Sequence, residues 1–322
     1  MDRTRVLSHP GWCENLVQAS NLRAGEQVLV VVDEPLAAQG AELVTAVHAA
    51  GADPRLELWA GERPLALPPG PVLEAAGTAD LALFLLQAPR ADEVNARFEL
   101  METVVGHGGR EIYLGLIDPD LLAGELSQPM PDLSKPTVEL LAALEGVETV
   151  RIRTAAGTDL TLRVGGRPWK TDAVPLAPGE VANFPGGEIF VAPYADGADG
   201  LLIVDLTIPY GVDGLVDEPV AIRFEQGRAR SIEGGRAAEL LRGLVAGAGT
   251  GADVVAELGI GLNPAVTPSG HTMLDEKAAG TAHVAIGRNT GAYGGDNEAS
   301  IHIDCVFSNP RIEADGRPLP LP

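Results

Sequence analysis

The sequence predicts an α/β protein in two parts: an N-terminal parallel-sheet α/β domain at 1–135 and a C-terminal mixed α+β domain at 136–322. Three observations carry this. Short apolar runs alternate with helix-compatible stretches through the first half, which is how a parallel sheet covered by helices reads. A Pro-rich stretch, QPMPDLSKP at 128–136, then interrupts the pattern. Beyond it, segments alternate residue by residue between apolar and polar, as antiparallel strands with one solvated face do.

Taken in order, QVLVVVD at 27–33 is a β-branched apolar run, 36–50 is Ala-rich with helical spacing, and Gly51 precedes a further strand at 54–59. DLALFLL at 80–86 and EIYLGL at 111–116 read as buried strands flanking a helical stretch at 92–106. In the second half, 147–153 and 159–164 form a hairpin across Ala-Ala-Gly-Thr. Strands are expected at 200–207 and 221–225, and helices at 236–247 and 252–258.

A formal net charge of −22 repels phosphate backbones and anionic lipid surfaces, so neither nucleic acid nor a membrane is the expected partner. Two cysteines without a CxxC pair argue against a disulfide framework and for a reducing cytoplasm. No apolar h-region follows Met1–Arg5, and no run approaches the length that spans a bilayer. The first strand leads into Asp33-Glu34-Pro35 rather than GxGxxG, so no dinucleotide is implied. The sequence also lacks a Gly-x-Ser-x-Gly elbow, a Walker loop and a His-Glu-x-x-His helix.

The chemistry concentrates near the C-terminus. His302 and Asp304 lie two apart in Ile-His-Ile-Asp; in a strand they share a face, so an imidazole and a carboxylate converge. His283 sits in an apolar run, where a core histidine and a metal ligand are both open readings. Glu188 ends the turn Asn-Phe-Pro-Gly-Gly-Glu, whose proline and glycines aim it inward or leave it solvated. Glu257 lies among apolar neighbours, and burial there requires a partner or a metal. These residues suffice for one ion, or for two sharing a carboxylate. Glu276, within Asp275-Glu276-Lys277, is a candidate general base unless Lys277 pairs with it, and Tyr293 is a candidate donor to an oxyanion. His107 and His271 stand in Gly-rich and Pro-Ser-Gly loops with no assigned role.

NFPGGEIFVAP at 183–193, ELGIGLNP at 257–264, DEK at 275–277, GTAHVAIG at 280–287 and IHID at 301–304 together resemble the aminopeptidase T and aminopeptidase S family of metallo-aminopeptidases. The likeness extends to Thr158–Leu160 and, more weakly, to 21–32. It implies Glu188, Glu257, His283, His302 and Asp304 as ligands of two divalent ions, zinc or cobalt, in a cytoplasmic homodimer that releases N-terminal residues from small peptides through a metal-activated water. Where that family has a tyrosine seven residues after the histidine, this chain has Thr290, with Tyr293 three further on. A related group, the 2,5-dihydroxypyridine dioxygenases, implies instead a single Fe(II) on His283, His302 and Asp304. A metal-binding relative without catalysis is the third expectation.

Overall fold

The computed structural model describes residues 9–173, 176–210 and 214–321. Met1–Arg5, where a leader was sought in the sequence, lie outside the described residues. Two compact units emerge: Met1–Pro89, Glu99–Met130 and Pro175–Pro185 form one, and Arg90–Phe98, Pro131–Val174 and Gly186–Pro322 form the other.

In the first unit a five-stranded parallel sheet runs β2-β1-β3-β4-β8, from β1 (Gln27–Val32), β2 (Asp53–Leu58), β3 (Leu81–Leu86), β4 (Arg110–Gly115) and β8 (Val181–Asn183). Central β3 is buried at every position, and β1 at all but its first. Both faces are therefore covered, which is why these strands read as unbroken apolar runs. β2 is an edge strand, and its Pro54, Arg55 and Glu57 are the residues an edge tolerates. Helices α1 (Gly11–Ala19), α2 (Ala37–Ala49), α3 (Gly70–Ala76) and α5 (Pro119–Ala123) belong to this unit, and α2 and α3 both pack on β1 and β2. The expected helix at 92–106 is α4 (Val94–Gly106).

β4 carries two buried charges with opposite fates. Arg110 makes a two-pronged bond to Glu26 at 3.0 and 2.7 Å. Glu111 has a buried Oε2 with no partner, and burial pushes its carboxyl up to about 8. An acid raised in this way contributes full stability below its ordinary value near 4.5 and loses it as pH climbs towards 8, because only the unfolded chain then ionises freely. Glu111→Gln removes the titration. Urea unfolding is expected to show the variant gaining, relative to wild type, on the order of 3 kcal/mol between pH 5 and pH 8. An equal difference at both pH values would show that Glu111 ionises normally.

The second unit holds two antiparallel sheets. The larger runs β12-β11-β10-β6-β5-β16-β17, from β5 (Thr149–Arg153), β6 (Asp159–Arg163), β10 (Ala198–Val204), β11 (Val220–Glu225), β12 (Arg228–Glu233), β16 (Arg311–Ala314) and β17 (Arg317–Pro318). β5 and β6 alternate exposed and buried residues, as the hairpin reading required. The smaller runs β15-β14-β13-β9-β7, from β7 (Lys170–Thr171), β9 (Glu188–Val191), β13 (Val255–Gly261), β14 (Thr281–Gly287) and β15 (His302–Ser308). One apolar core joins them, with Ile152, Leu160 and Ile222 from the larger sheet and Leu258, Ile260, Val284 and Cys305 from the smaller. Leu140 of α6 (Ser134–Leu144) and Leu241 of α7 (Arg236–Ala248) complete it. A single-turn α8 (Thr272–Asp275) lies between β13 and β14 in the chain.

One expected element is corrected. The stretch 252–258 is not helical: from Val255 it is central strand β13, buried at all seven positions. A short apolar run carries no periodicity that separates a buried strand from a buried helix. The deciding residues are Gly259 and Gly261, where neighbouring groups approach too closely for a side chain.

Candidate metal centre

Strand register places every ligand candidate on one face of the smaller sheet. His283 on β14 stands opposite Gly259 of β13, and Ala285, two residues on and hence on the same face, stands opposite both Glu257 and Asp304. Gly261 faces Glu188 of β9, and Gly287 faces His302 of β15. Large ligands thus alternate with residues that have little or no side chain. A Cβ on Gly259 would lie 2.0 Å from the His283 ring, and one on Gly261 would lie 2.1 Å from the Ala278 carbonyl. Gly259 makes room for the imidazole, and Gly261 for the chain at Ala278.

All five residues converge. His283 Nε2 lies 3.4 Å from Glu257 Oε1, 3.6 Å from Glu188 Oε2 and 3.8 Å from Asp304 Oδ1. His302 Nε2 lies 3.4 Å from Glu257 Oε2 and 3.2 Å from Asp304 Oδ1. Ligands held at about 2.1 Å on a tetrahedral ion are roughly 3.4 Å apart, so these separations match a shared ion better than direct hydrogen bonds. Three groups of potential ligands result: Glu188, Glu257 and His283; Glu257, His302 and Asp304; and Glu276, His283 and Asp304. Glu188 Oε2 and His283 Nδ1 are buried with no hydrogen-bond partner, and an unsatisfied carboxylate oxygen aimed at an imidazole suits a cation.

His302 Nδ1 is 2.6 Å from the Arg288 carbonyl, which only accepts, so Nδ1 carries the hydrogen and Nε2 is the atom turned to the carboxylates. In the absence of metal, burial pulls both imidazoles down, but the facing carboxylates outweigh it. His283 is lifted to about 10, chiefly by Glu188, and His302 well above the ordinary range, chiefly by Asp304. Asp304, despite burial, is held well below the usual carboxylate range by His302. An entering cation therefore displaces protons from both rings.

Glu276 and Lys277 do pair, at 3.0 Å. Both are buried, and Lys277 also binds Glu188 and lies 3.1 Å from Asp172. Burial raises the Glu276 carboxyl, Lys277 opposes this and Asp304 adds to it, leaving it above its ordinary value. Tyr293 reaches the site despite its shifted position: its ring centroid is 4.5 Å from His302, 5.8 Å from Phe98 and 5.9 Å from Phe190. Burial and the surrounding carboxylates raise its phenol well above the ordinary range, so it remains an O–H donor. Its loop is tied down by Asn289, which binds the Ala256 carbonyl, and by Asn297, which binds the carbonyls of Gly251 and Gly287.

Other sequence candidates fall elsewhere. Asp275 accepts from the amides of Ser269 and Gly270 and fixes that loop. His271 stands immediately before α8, and His107 sits on the surface with its ring nitrogens 2.9 and 3.0 Å from the carbonyls of Thr103 and Ala79. Asp172 was missed. It is sixteen residues from Glu188 on a two-residue strand's end, with no spacing or apolar pattern to announce it.

Two histidines and three carboxylates on one sheet face, all but Asp304 buried, with Glu276 beside them from the end of α8, define a candidate metal centre. Residues 99–319 match the family model described as 2,5-dihydroxypyridine 5,6-dioxygenase, and the chain belongs to that family. The likeness to aminopeptidases T and S also stands. The chain is 29% identical to aminopeptidase T of Thermus thermophilus over 50% of its length and 43% of the relative's. It is 28% identical to aminopeptidase AmpS of Bacillus subtilis over 50% and 44%. To the 2,5-dihydroxypyridine 5,6-dioxygenase of Pseudomonas putida it is 27% identical over 53% and 45%. These matches span less than half the length of the curated relatives. In structure, the Pseudomonas putida dioxygenase aligns with a TM-score of 0.76 at 21% identity, covering 95% of this chain and 93% of that one. AmpT from Thermus thermophilus aligns with a TM-score of 0.69 at 18% identity, covering 96% of both. The fold is common to both kinds of enzyme. Among the described residues, no helix is long and apolar enough to cross a membrane.

Proposed function

We propose that this protein is a two-metal hydrolase of the aminopeptidase type, releasing N-terminal residues from small peptides, and that it works as a cytoplasmic homodimer. The observation that carries the reading is the division of the site. The two histidines fall in separate three-ligand groups, and Glu257 belongs to one group of each, with one oxygen towards either ring. A carboxylate so placed could serve two ions; Glu188 and His283 would complete one set and His302 and Asp304 the other, although Asp304 also groups with His283 and Glu276. Zinc or cobalt suits this mix of nitrogen and oxygen donors.

Divalent ions held by these residues would supply Lewis acidity to a scissile carbonyl and would lower the pKa of water. The chain's own groups do the rest. Glu276 is ion-paired with Lys277, which counts against a free base, yet its carboxyl stays above the ordinary value; in this reading it would still accept a proton and return it to the departing amine. The Tyr293 phenol donates to the oxyanion. Tyr293 stands against His302 and is backed by Phe98 and Phe190, an aromatic cluster that would orient the substrate and exclude water from one side.

A second reading has its own support. The matched family model and the dioxygenase structure favour a ring-cleaving dioxygenase with one Fe(II), and Asp304 Oδ1 faces both histidines at 3.2 and 3.8 Å. Metal analysis of the isolated protein, with parallel assays on aminoacyl anilides and 2,5-dihydroxypyridine, decides between them. Two ions per chain with anilide release is the expected result. One iron with oxygen consumption would establish the dioxygenase instead, and bound metal without either turnover would leave a metal-binding relative.

A further inference from the structure

Lys277 is a cation already built into this site. Its side chain is wholly buried, and its Nζ binds Glu188 and pairs with Glu276 and Asp172. Glu188 and Glu276 are members of the two ligand groups that contain His283. The group formed by Glu257, His302 and Asp304 contains neither. The direct ion pairs of Lys277 thus all lie on one side of the centre; Asp304, which is shared between the two sides, feels its charge only at longer range.

We infer that Lys277 makes the two ion sites unequal: the His302 side binds tightly and fills first, while the His283 side binds weakly and exchanges. This rests on the two-ion reading above. An ion arriving beside Glu188 meets a carboxylate whose Oε1 already holds an ammonium, and it feels that ammonium's repulsion in a buried, weakly screened setting. An ion beside His302 meets Glu257 and Asp304, two carboxylates turned to the imidazole.

Asp172 keeps Lys277 from leaving. Its Oδ1 accepts from the backbone amides of Gly187 and Glu188 at 2.8 and 2.9 Å, and its Oδ2 faces the ammonium. The turn closes tightly over it, since a Cβ on Gly186 would lie 2.2 Å from the Asp172 carbonyl oxygen. Asp172 therefore fixes at once the backbone that presents Glu188 and the cation that partly neutralises it. Asp172 and Lys277 are positioning residues. At low divalent-ion supply the chain holds one ion, with Lys277 standing in at Glu188 for the second, so the loading of the weak site becomes a control point.

Calorimetric titration of the metal-stripped full chain with Zn²⁺ tests this. Wild type is expected to show two events whose affinities differ by about tenfold or more. His302→Asn should abolish the tight event and His283→Asn the weak one. In Lys277→Met the weak event should tighten at least about fivefold while the tight one moves less than about threefold, and Lys277→Arg should keep the wild-type gap. Two equal events in wild type, loss of the tight event on His283→Asn, or an unchanged gap in Lys277→Met would each overturn the inference. The wild-type and histidine titrations decide the matter even if Lys277→Met does not fold. A single event of one ion per chain at every concentration would overturn the two-ion reading itself, which the equal-event outcome leaves standing.

Discussion

Glutamine at position 257 is expected to lower aminoacyl-anilide hydrolysis on the order of a thousandfold and to reduce bound metal from two ions to one or none. Removing a group that merely supports a metal ligand costs roughly 10–100-fold in affinity or activity, and in the two-ion proposal Glu257 would touch both ions directly. Its burial sharpens the effect. The carboxylate is 3% exposed, and although burial pushes its carboxyl up, His283 and His302 hold it below the ordinary value. It is therefore a fixed anion between two imidazoles. An amide of the same shape keeps the packing and removes the charge, so a fall in turnover with unchanged melting would report on the site and not on folding. Full turnover with both ions retained would show that Glu257 is not the shared ligand.

Chelation of the metal is expected to lower the melting temperature by about 5–10 °C, with re-addition of Zn²⁺ restoring it. Asp172, Glu188, Glu257, Glu276 and Asp304 crowd together with Lys277 and two imidazoles, and all but Asp304 are nearly inaccessible to solvent. The two rings must stay protonated to balance this charge when no ion is bound. A ligand at a hundred times its dissociation constant stabilises by about 2.7 kcal/mol, and each kcal/mol is worth roughly 2–4 °C in a unit of this size. The loss on chelation should grow with pH as the free imidazoles, His283 near 10, lose their protons. Differential scanning calorimetry with and without EDTA at pH 7 and pH 9 measures both effects. Identical traces at both pH values would mean that no ion contributes to the fold.

Much of this centre was legible because strand periodicity is a strong constraint. Ile-His-Ile-Asp had to present His302 and Asp304 on one face, and the structure does so. The Pro-Gly-Gly turn left Glu188 either aimed inward or solvated, and only the family resemblance set it among the ligands. The strand containing Glu257 was misread as helix because an apolar heptad gives no decisive period, and the glycines that settle it act through contacts with β14 that are remote in sequence. Asp172 was invisible for a related reason. Its partners are the backbone amides at 187 and 188 and a lysine more than a hundred residues away, and neither contact leaves a local pattern. In the first unit, the contiguous strands were readable from their apolar runs, whereas β8 joins that sheet from beyond residue 180. Sequence order hides such a pairing.

The two asparagines that tie down the Tyr293 loop anchor it independently of the ligand residues. Asn289 and Asn297 close the segment between them like a clasp, gripping carbonyls of Gly251, Ala256 and Gly287 rather than any metal ligand. The arc inside that clasp, which brings Tyr293 to within 4.5 Å of His302, is therefore held by hydrogen bonds separate from those of the ligand floor. Arc and floor are two separately anchored parts of one site.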